Sequence, residues 1–221
     1  MYSTDLSRIS IDEWEQILNN ARLLPSQRSI LDNLSQNMQI LRDLGIEDLD
    51  ALQKFLKKKA NYPAIARDTG IGEDYLVILN RMVNSYIVKK KSLSDIGIFT
   101  DKQLCALEEI QIKNTGQYYD ALILAQNIEK LASRTLIPSD TLDYALHIVD
   151  LLRINGVGVE YAKMLYTIGV RSVADYNNTP SEAILRGINE LNKGGRYSNA
   201  TLGVSDVDYC RRFTEKLDCE I

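Results

Sequence analysis

Apolar residues recur at helical spacing along nearly the whole chain, and this periodicity restricts the fold more than any other feature. After Pro25, for example, Ile30, Leu34, Met38 and Leu41 are separated by three or four residues and so share one face of a helix. Period-two alternation, which marks a half-buried strand, is hard to find. The sequence therefore predicts an all-α fold.

Residues that begin and end helices divide this pattern. Ser10 is placed to cap a helix that begins at Ile11, and Pro25 opens a second helix that ends near Gly45. A third helix runs from about Glu47. In the second half, the pattern predicts helices near residues 100–110, 114–134, 138–152, 158–168, 172–177, 180–193 and 205–217.

The segment IVKKKSL at residues 87–93 is the best candidate for a connector between two halves, because its lysines favour a solvated, extended chain. We expect an N-terminal helical half over residues 1–90 and a C-terminal half over residues 91–221.

Three segments of similar pattern indicate an internal repeat. They are LRDLGIEDLDAL from Leu41, LEEIQIKNTGQY from Leu107 and LYTIGVRSVADY from Leu165. Each predicts a helix, a tight turn and a second helix. Gln111 interrupts the pattern in the middle copy, where the other two have glycine.

The charge balance argues against a broadly basic nucleic-acid-binding surface. The net charge is −4, with about +1 in residues 1–91 and about −5 in residues 92–221. Any contact with nucleic acid must therefore come from a local patch.

The few cysteines and the one histidine limit the chemistry. Cys105, Cys210 and Cys219 lack a CxxC spacing, so neither a disulfide framework nor a metal site is expected. His147 is the single histidine, which makes a Ser-His-Asp or Cys-His catalyst a poor interpretation. We expect a protein that is not an enzyme and has no cofactor. No secretory signal or membrane span is visible, so we expect a cytoplasmic protein.

The most informative segment is LLRINGVGVEYAKML at residues 151–165. Gly156, Val157 and Gly158 predict a tight turn between two helices, with Val157 filling the gap between them. Ala162 is small and lets the helices approach closely. The spacing apolar-x-Gly-apolar-Gly-x-x-x-Ala resembles the helix-hairpin-helix motif.

A longer stretch extends the resemblance. Residues 84–122, followed by LLRINGVGVEYAKMLYTIGVRSVADY and together with the opening ISIDEWEQILNNARLLPSQRSILDNL, resemble the domain-of-unknown-function 4332 family of tandem helix-hairpin-helix proteins. The resemblance implies tandem helix-hairpin-helix repeats in two helical halves. It implies no activity.

Two other segments resemble the hairpin less closely. In IGIFTDKQL at residues 96–104, Ile98 and Thr100 stand where Gly156 and Gly158 stand, so that hairpin lacks its glycines. TGIGEDYL at residues 69–76 has the glycines, as Gly70, Ile71 and Gly72, but Asp68 occupies an apolar position. We interpret it as a helix start and as the weaker candidate for a second binding hairpin.

The glycine hairpin at 156–158 suggests two kinds of function. Backbone amides at a helix start, helped by the helix dipole, can hold a phosphate without lysine, which would give sequence-independent contact with a DNA or RNA backbone. Glu160 opposes this, and Lys163 and Arg153 are the cations expected to compensate. The alternative is a helical scaffold that binds a protein partner. The candidate phosphate-binding residues are Gly156, Val157, Gly158, Val159, Glu160, Tyr161 and Lys163.

Overall fold

The computed structural model describes residues 1–21, 23–123, 127–195 and 201–221, and every regular element within these ranges is helical. The described residues also form two isolated antiparallel β-bridges, which are Ser10–Asp48 and Ser92–Asn114. The prediction of an all-α fold is confirmed. Within the same ranges, none of the helices combines the length and the apolar character that crossing a membrane requires.

The chain forms two compact units. Residues Thr4–Ile87 make the N-terminal unit, and Met1–Ser3 together with Val88–Ile221 make the C-terminal unit. The sequence pattern gives no sign that the first three residues pack with the C-terminal unit.

The N-terminal unit contains α1 to α5 and three short 3-10 helices. Asn33 is left-handed, with φ of 54°, and separates a 3-10 helix from α2. The prediction of one continuous helix from Pro25 to Gly45 is therefore wrong. The 3-10 helices are Leu6–Arg8, Pro25–Leu31 and Lys59–Asn61, and the α-helices are α1 (Ile11–Asn20), α2 (Leu34–Asp43), α3 (Leu49–Leu56), α4 (Tyr62–Thr69) and α5 (Glu73–Asn84).

The C-terminal unit contains a 3-10 helix at Leu93–Ile96 and the remaining α-helices. They are α6 (Asp101–Glu109), α7 (Thr115–Leu122), α8 (Asn127–Thr135), α9 (Ser139–Leu151), α10 (Val159–Thr167), α11 (Val173–Asn178), α12 (Ser181–Leu191) and α13 (Val204–Thr214).

The helix predicted over residues 114–134 is instead two helices, α7 and α8. The side-chain amide of Asn127, the first residue of α8, donates to the carbonyl of Ala121 near the end of α7 at 2.8 Å. This bond joins the start of α8 to the last turn of α7. Residues 124–126, which the prediction also covered, lie outside the described residues.

The three turns singled out in the sequence share one hydrogen-bond pattern. Gly45, Gln111 and Gly169 are all left-handed, with φ of 76°, 66° and 92°. In each turn the next amide donates back five residues to a leucine carbonyl: Ile46 to Leu41, Ile112 to Leu107 and Val170 to Leu165. Gln111 therefore does not disrupt its turn, although it carries a side chain. A tandem arrangement of whole repeats stays a prediction.

One apolar core supports the C-terminal unit. It contains seven of the eight residues expected to form the core around the glycine hairpin, and the eighth, Ile168, packs half-buried against it. Ile168 lies beside Gly187 on α12, where an added Cβ would be 3.1 Å from its Cδ1 atom. The seven buried residues are Leu151, Ile154, Val157, Leu165, Val170, Val173 and Ile188.

Candidate functional site

The candidate site is the connection between α9 and α10, which we call the GVG hairpin (residues 152–161). Val157 is buried between the two helices, and its amide donates to the carbonyl of Ile154 at 3.0 Å. Ala162 is fully buried on the inner face of α10. The Val157 amide is therefore part of the fold and is not available to a ligand.

Gly156 is required by the fold for two reasons. Its φ is +95°, a conformation that costs other L-residues free energy. A Cβ atom here would also lie 2.7 Å from the Sγ atom of Cys210 on α13. Burial raises the pKa of the Cys210 thiol to about 11. The close packing of α13 accounts for this glycine without a ligand.

Gly158 is different, because nothing in the described structure requires a glycine at this position. Its φ of −88° and ψ of 173° are open to any residue, and a Cβ would meet no atom within 4 Å. It is the N-cap of α10, where serine, threonine, aspartate and asparagine are preferred, yet it supplies no side-chain acceptor.

The open cap leaves the start of α10 without acceptors. Among the described residues, no carbonyl or side chain accepts a hydrogen bond from the amides of Val159, Glu160 and Tyr161. The first amide that is bonded belongs to Ala162, which donates to the Gly158 carbonyl at 2.8 Å. Three donors without an acceptor therefore lie together at the positive end of the helix dipole.

The charged side chains at this helix start form a pair. Glu160 is exposed, and the Nζ atom of Lys163 lies 3.3 Å from its Oε1 atom. Lys163 also reaches toward Gly97, where an added Cβ would be 3.7 Å from Nζ. Lys163 is thus placed to offset the charge of Glu160.

Tyr161 contributes its amide to the candidate site rather than its ring. Its side chain is half-buried, and burial raises the pKa of its phenol to about 12. The ring packs against the core of the C-terminal unit.

Arg153 is not the compensating cation that the sequence suggested. Its side chain is fully buried, and it donates to Asp150 and to the hydroxyl of Tyr119. It also donates to the carbonyls of Tyr2 at 3.0 Å and Asp218 at 2.9 Å. Arg153 therefore joins distant segments of the C-terminal unit and is closed to a ligand.

Asp150 completes this buried network, which sequence reasoning missed. Its second oxygen accepts from the amide of Val173, the first residue of α11, at 2.7 Å. Burial raises the pKa of the Asp150 carboxyl, and Arg153 opposes the shift. The one available signal was the i, i+3 spacing of the two charges in an otherwise apolar helix end.

The second hairpin, Gly70–Ile71–Gly72, has similar backbone geometry in the N-terminal unit. Gly70 is left-handed with φ of +77°, Ile71 is buried, and Gly72 caps α5 without a side-chain acceptor. Two acidic residues, Glu73 and Asp74, follow in the first turn of α5. Their charge makes this helix start a poorer phosphate site than α10.

The start of α6 is closed by its own side chains. Thr100 accepts from the amide of Gln103 at 3.4 Å, and the Gln103 side chain accepts from the amide of Thr100 at 2.8 Å. The left-handed residue in this segment is Gly97, with φ of 60°, so Ile98 does not take the conformation of Gly156. This capping box distinguishes α6 from α5 and α10, whose N-cap residues are Gly72 and Gly158.

In the described part of the chain, no three His, Cys, Asp or Glu residues lie close enough together to bind a metal ion. His147 packs its ring against Tyr166, with 5.7 Å between the ring centroids, and its Nδ1 atom lies 2.9 Å from the carbonyl oxygen of Arg171.

Comparison with known proteins gives one match. No curated protein and no solved structure matches the chain. Residues 85–215, more than half of the 221 residues, match the family model described as a domain of unknown function (DUF4332). The glycine hairpin lies within this range, and the chain belongs to the DUF4332 family.

Proposed function

We propose that the chain binds the sugar–phosphate backbone of a nucleic acid, DNA or RNA, through the start of α10 and without reading base sequence. In this proposal the GVG hairpin is a helix-hairpin-helix motif and the protein is a binding protein rather than an enzyme. The chain has one histidine, and the described residues bring no three His, Cys, Asp or Glu side chains together at a metal site.

The observation that carries the proposal is the open N-cap at Gly158. Folding alone favours a capping side chain at this position, and the structure has room for one. A glycine instead leaves the amides of Val159, Glu160 and Tyr161 without an acceptor from the N-cap side chain. A phosphate oxygen is such an acceptor, and it can approach closely because no Cβ intervenes.

Electrostatics set the expected strength of binding. The Glu160–Lys163 pair leaves the helix start close to neutral, and the surrounding half of the chain is acidic. We therefore expect weak binding that depends steeply on salt, since phosphate contacts release counterions.

The first experiment measures binding of labelled duplex, forked and single-stranded DNA, and of an RNA duplex, at about 50 and about 200 mM salt. Binding that weakens with salt and does not depend on sequence supports the proposal. Glu160→Lys should tighten binding and steepen the log–log salt slope, by about 0.9 per added phosphate contact.

Gly158→Asp is the sharper variant. The new carboxylate should cap α10 and raise the free energy of unfolding while it occupies the amides, so binding should weaken in a more stable protein. Lys102→Gln on the exposed surface of α6 makes the same change of net charge and should leave affinity nearly unchanged. Gly72→Asp makes the same substitution at α5 and reports whether the second hairpin binds.

The alternative function is a helical scaffold that binds another protein. The packing of Gly156 against Cys210 favours it, because this part of the turn is explained as a connector. If the wild type and Glu160→Lys both stay folded and bind no nucleic acid at low salt, the backbone-binding proposal is wrong and the scaffold function takes its place.

A further inference from the structure

A groove in the C-terminal unit lies between the first turns of α9, the middle of α10 and the Gly97 turn. Its volume is about 500 Å³, within the range of roughly 300–1,000 Å³ that is usual for ligand sites. We call it the Tyr144 groove. It is lined by Gly97, Ile98, Asp140, Thr141, Tyr144 and Lys163.

The unpaired charge at this groove is negative. Asp140 is exposed and has no ion-pair or hydrogen-bond partner among the described residues. The groove's one cation, Lys163, is already paired with Glu160 at 3.3 Å. Asp140 is the one carboxylate among the lining residues, and a bound cation would find it available.

The groove also offers an aromatic and an apolar surface, from Tyr144, four residues after Asp140 on α9, and from Ile98. Tyr144 and Ile98 are both half-buried, and the edge-to-face contact of Tyr144 with Tyr166, at 4.8 Å and 80°, fixes the ring. A cation already packs on this aromatic pair, because the Arg171 guanidinium lies 5.1 Å from the ring centroid of Tyr166. An aromatic ring beside a free carboxylate is the arrangement that favours a guanidinium group.

We propose that the Tyr144 groove binds an arginine side chain of a partner polypeptide. The guanidinium packs on Tyr144 and donates to Asp140, the hydroxyl of Thr141 accepts a further hydrogen bond, and Ile98 contacts the aliphatic stem. The site is separate from the amides of α10, so it goes beyond the nucleic-acid proposal and does not depend on it. Arginine is preferred over lysine because its planar group both stacks and donates two parallel hydrogen bonds.

The test follows the amide NMR signals of the full-length chain during titration with a capped Gly-Arg-Gly peptide at low salt. Gly-Lys-Gly, Gly-Glu-Gly and adenosine monophosphate are titrated in parallel. The proposal expects shifts at Ile98, Thr141 and Tyr144 with the arginine peptide, weaker shifts with the lysine peptide and none with the glutamate peptide.

Two variants test the named contacts. Asp140→Asn should weaken arginine-peptide binding about fivefold, and Tyr144→Leu about threefold, which are the sizes expected for partly exposed ion pairs and cation–π contacts. Asp120→Asn, which removes an exposed carboxylate from α7, is the matched control and should leave binding unchanged. Asp140 lies on the surface, so its variant should fold normally.

Three results would overturn the proposal. Equal weakening by Asp120→Asn would show non-specific attraction to an acidic protein. Shifts of the groove residues with adenosine monophosphate and not with the arginine peptide would assign the groove to a nucleotide. If no amide NMR signal of the groove shifts at several millimolar arginine peptide, the groove does not bind an arginine side chain.

Discussion

The guanidinium of Arg153 and the carboxylate of Asp150 form an ion pair in which both side chains are at most 1% exposed. Asp150 lies in the last turn of α9 and Arg153 lies in the GVG hairpin, and the further hydrogen bonds of the pair reach α7, α11 and both ends of the chain. A buried pair of this kind is stable only while every donor and acceptor is satisfied.

Removing one partner should therefore be costly. Arg153→Met should lower the free energy of unfolding by about 3–5 kcal/mol, because Asp150 stays buried without its cation. Urea denaturation measures the change. Arg153→Met combined with Asp150→Asn should lose less than the single variant, and Arg186→Met on the exposed surface of α12 should lose little. A loss below about 1 kcal/mol for Arg153→Met would mean that the pair is not desolvated.

Gly156→Ala should destabilise the hairpin by about 2–4 kcal/mol, since it combines an unfavourable φ with overpacking against Cys210. Thermal and urea unfolding give the value. Adding Cys210→Ala removes the Sγ atom and should restore the steric part of the loss but not the conformational part. If the losses of the two single variants simply add in the double variant, the predicted contact between the new methyl group and Sγ is contradicted.

Gln111→Gly should stabilise the protein by about 0.5–1 kcal/mol, because glutamine holds a φ of 66° that glycine adopts more readily. Gly45→Ala and Gly169→Ala are the matched reverse changes. A Cβ at either position meets no atom within 4 Å. Each variant should therefore lower the free energy of unfolding by about 1 kcal/mol, and the whole loss comes from the left-handed φ. The expected opposite signs are read from urea unfolding curves.

The three cysteines should differ in reactivity. Cys105 and Cys219 are exposed and Cys210 is buried, so alkylation of the native protein near pH 8 should add two labels and alkylation in urea should add three, as counted by mass spectrometry. The folded pKa of Cys210 is raised from 9.0 to about 11 by burial. Burial of the neutral Cys210 thiol therefore contributes fully to the free energy of unfolding below pH 9. This contribution is lost as the pH rises toward 11, because the unfolded chain releases the thiol proton more readily. Cys210→Ala should reduce this alkaline loss, and an equal loss in the variant would contradict the assignment.

Helices were predicted correctly from the sequence where neighbouring residues determine their bounds. The predicted helices at 138–152 and 158–168 are α9 and α10 to within one residue at each end, because the apolar period and the glycines act within one or two turns. The prediction failed where a side-chain hydrogen bond accompanies a break between two helices. α7 and α8 were joined in the prediction because the bond from Asn127 to Ala121 leaves no mark on the apolar pattern.

The amino-acid sequence by itself determined the all-α fold, the positions of most helices and the glycine turn between α9 and α10. The tertiary structure alone decided what each residue of that turn is for. Gly156 is needed because Cys210, 54 residues later, packs against it, and Arg153 is withdrawn from the site by Tyr2, 151 residues away. Gly158 has no such neighbour. Local propensities act over a few residues, whereas burial and steric contact depend on which distant segments meet.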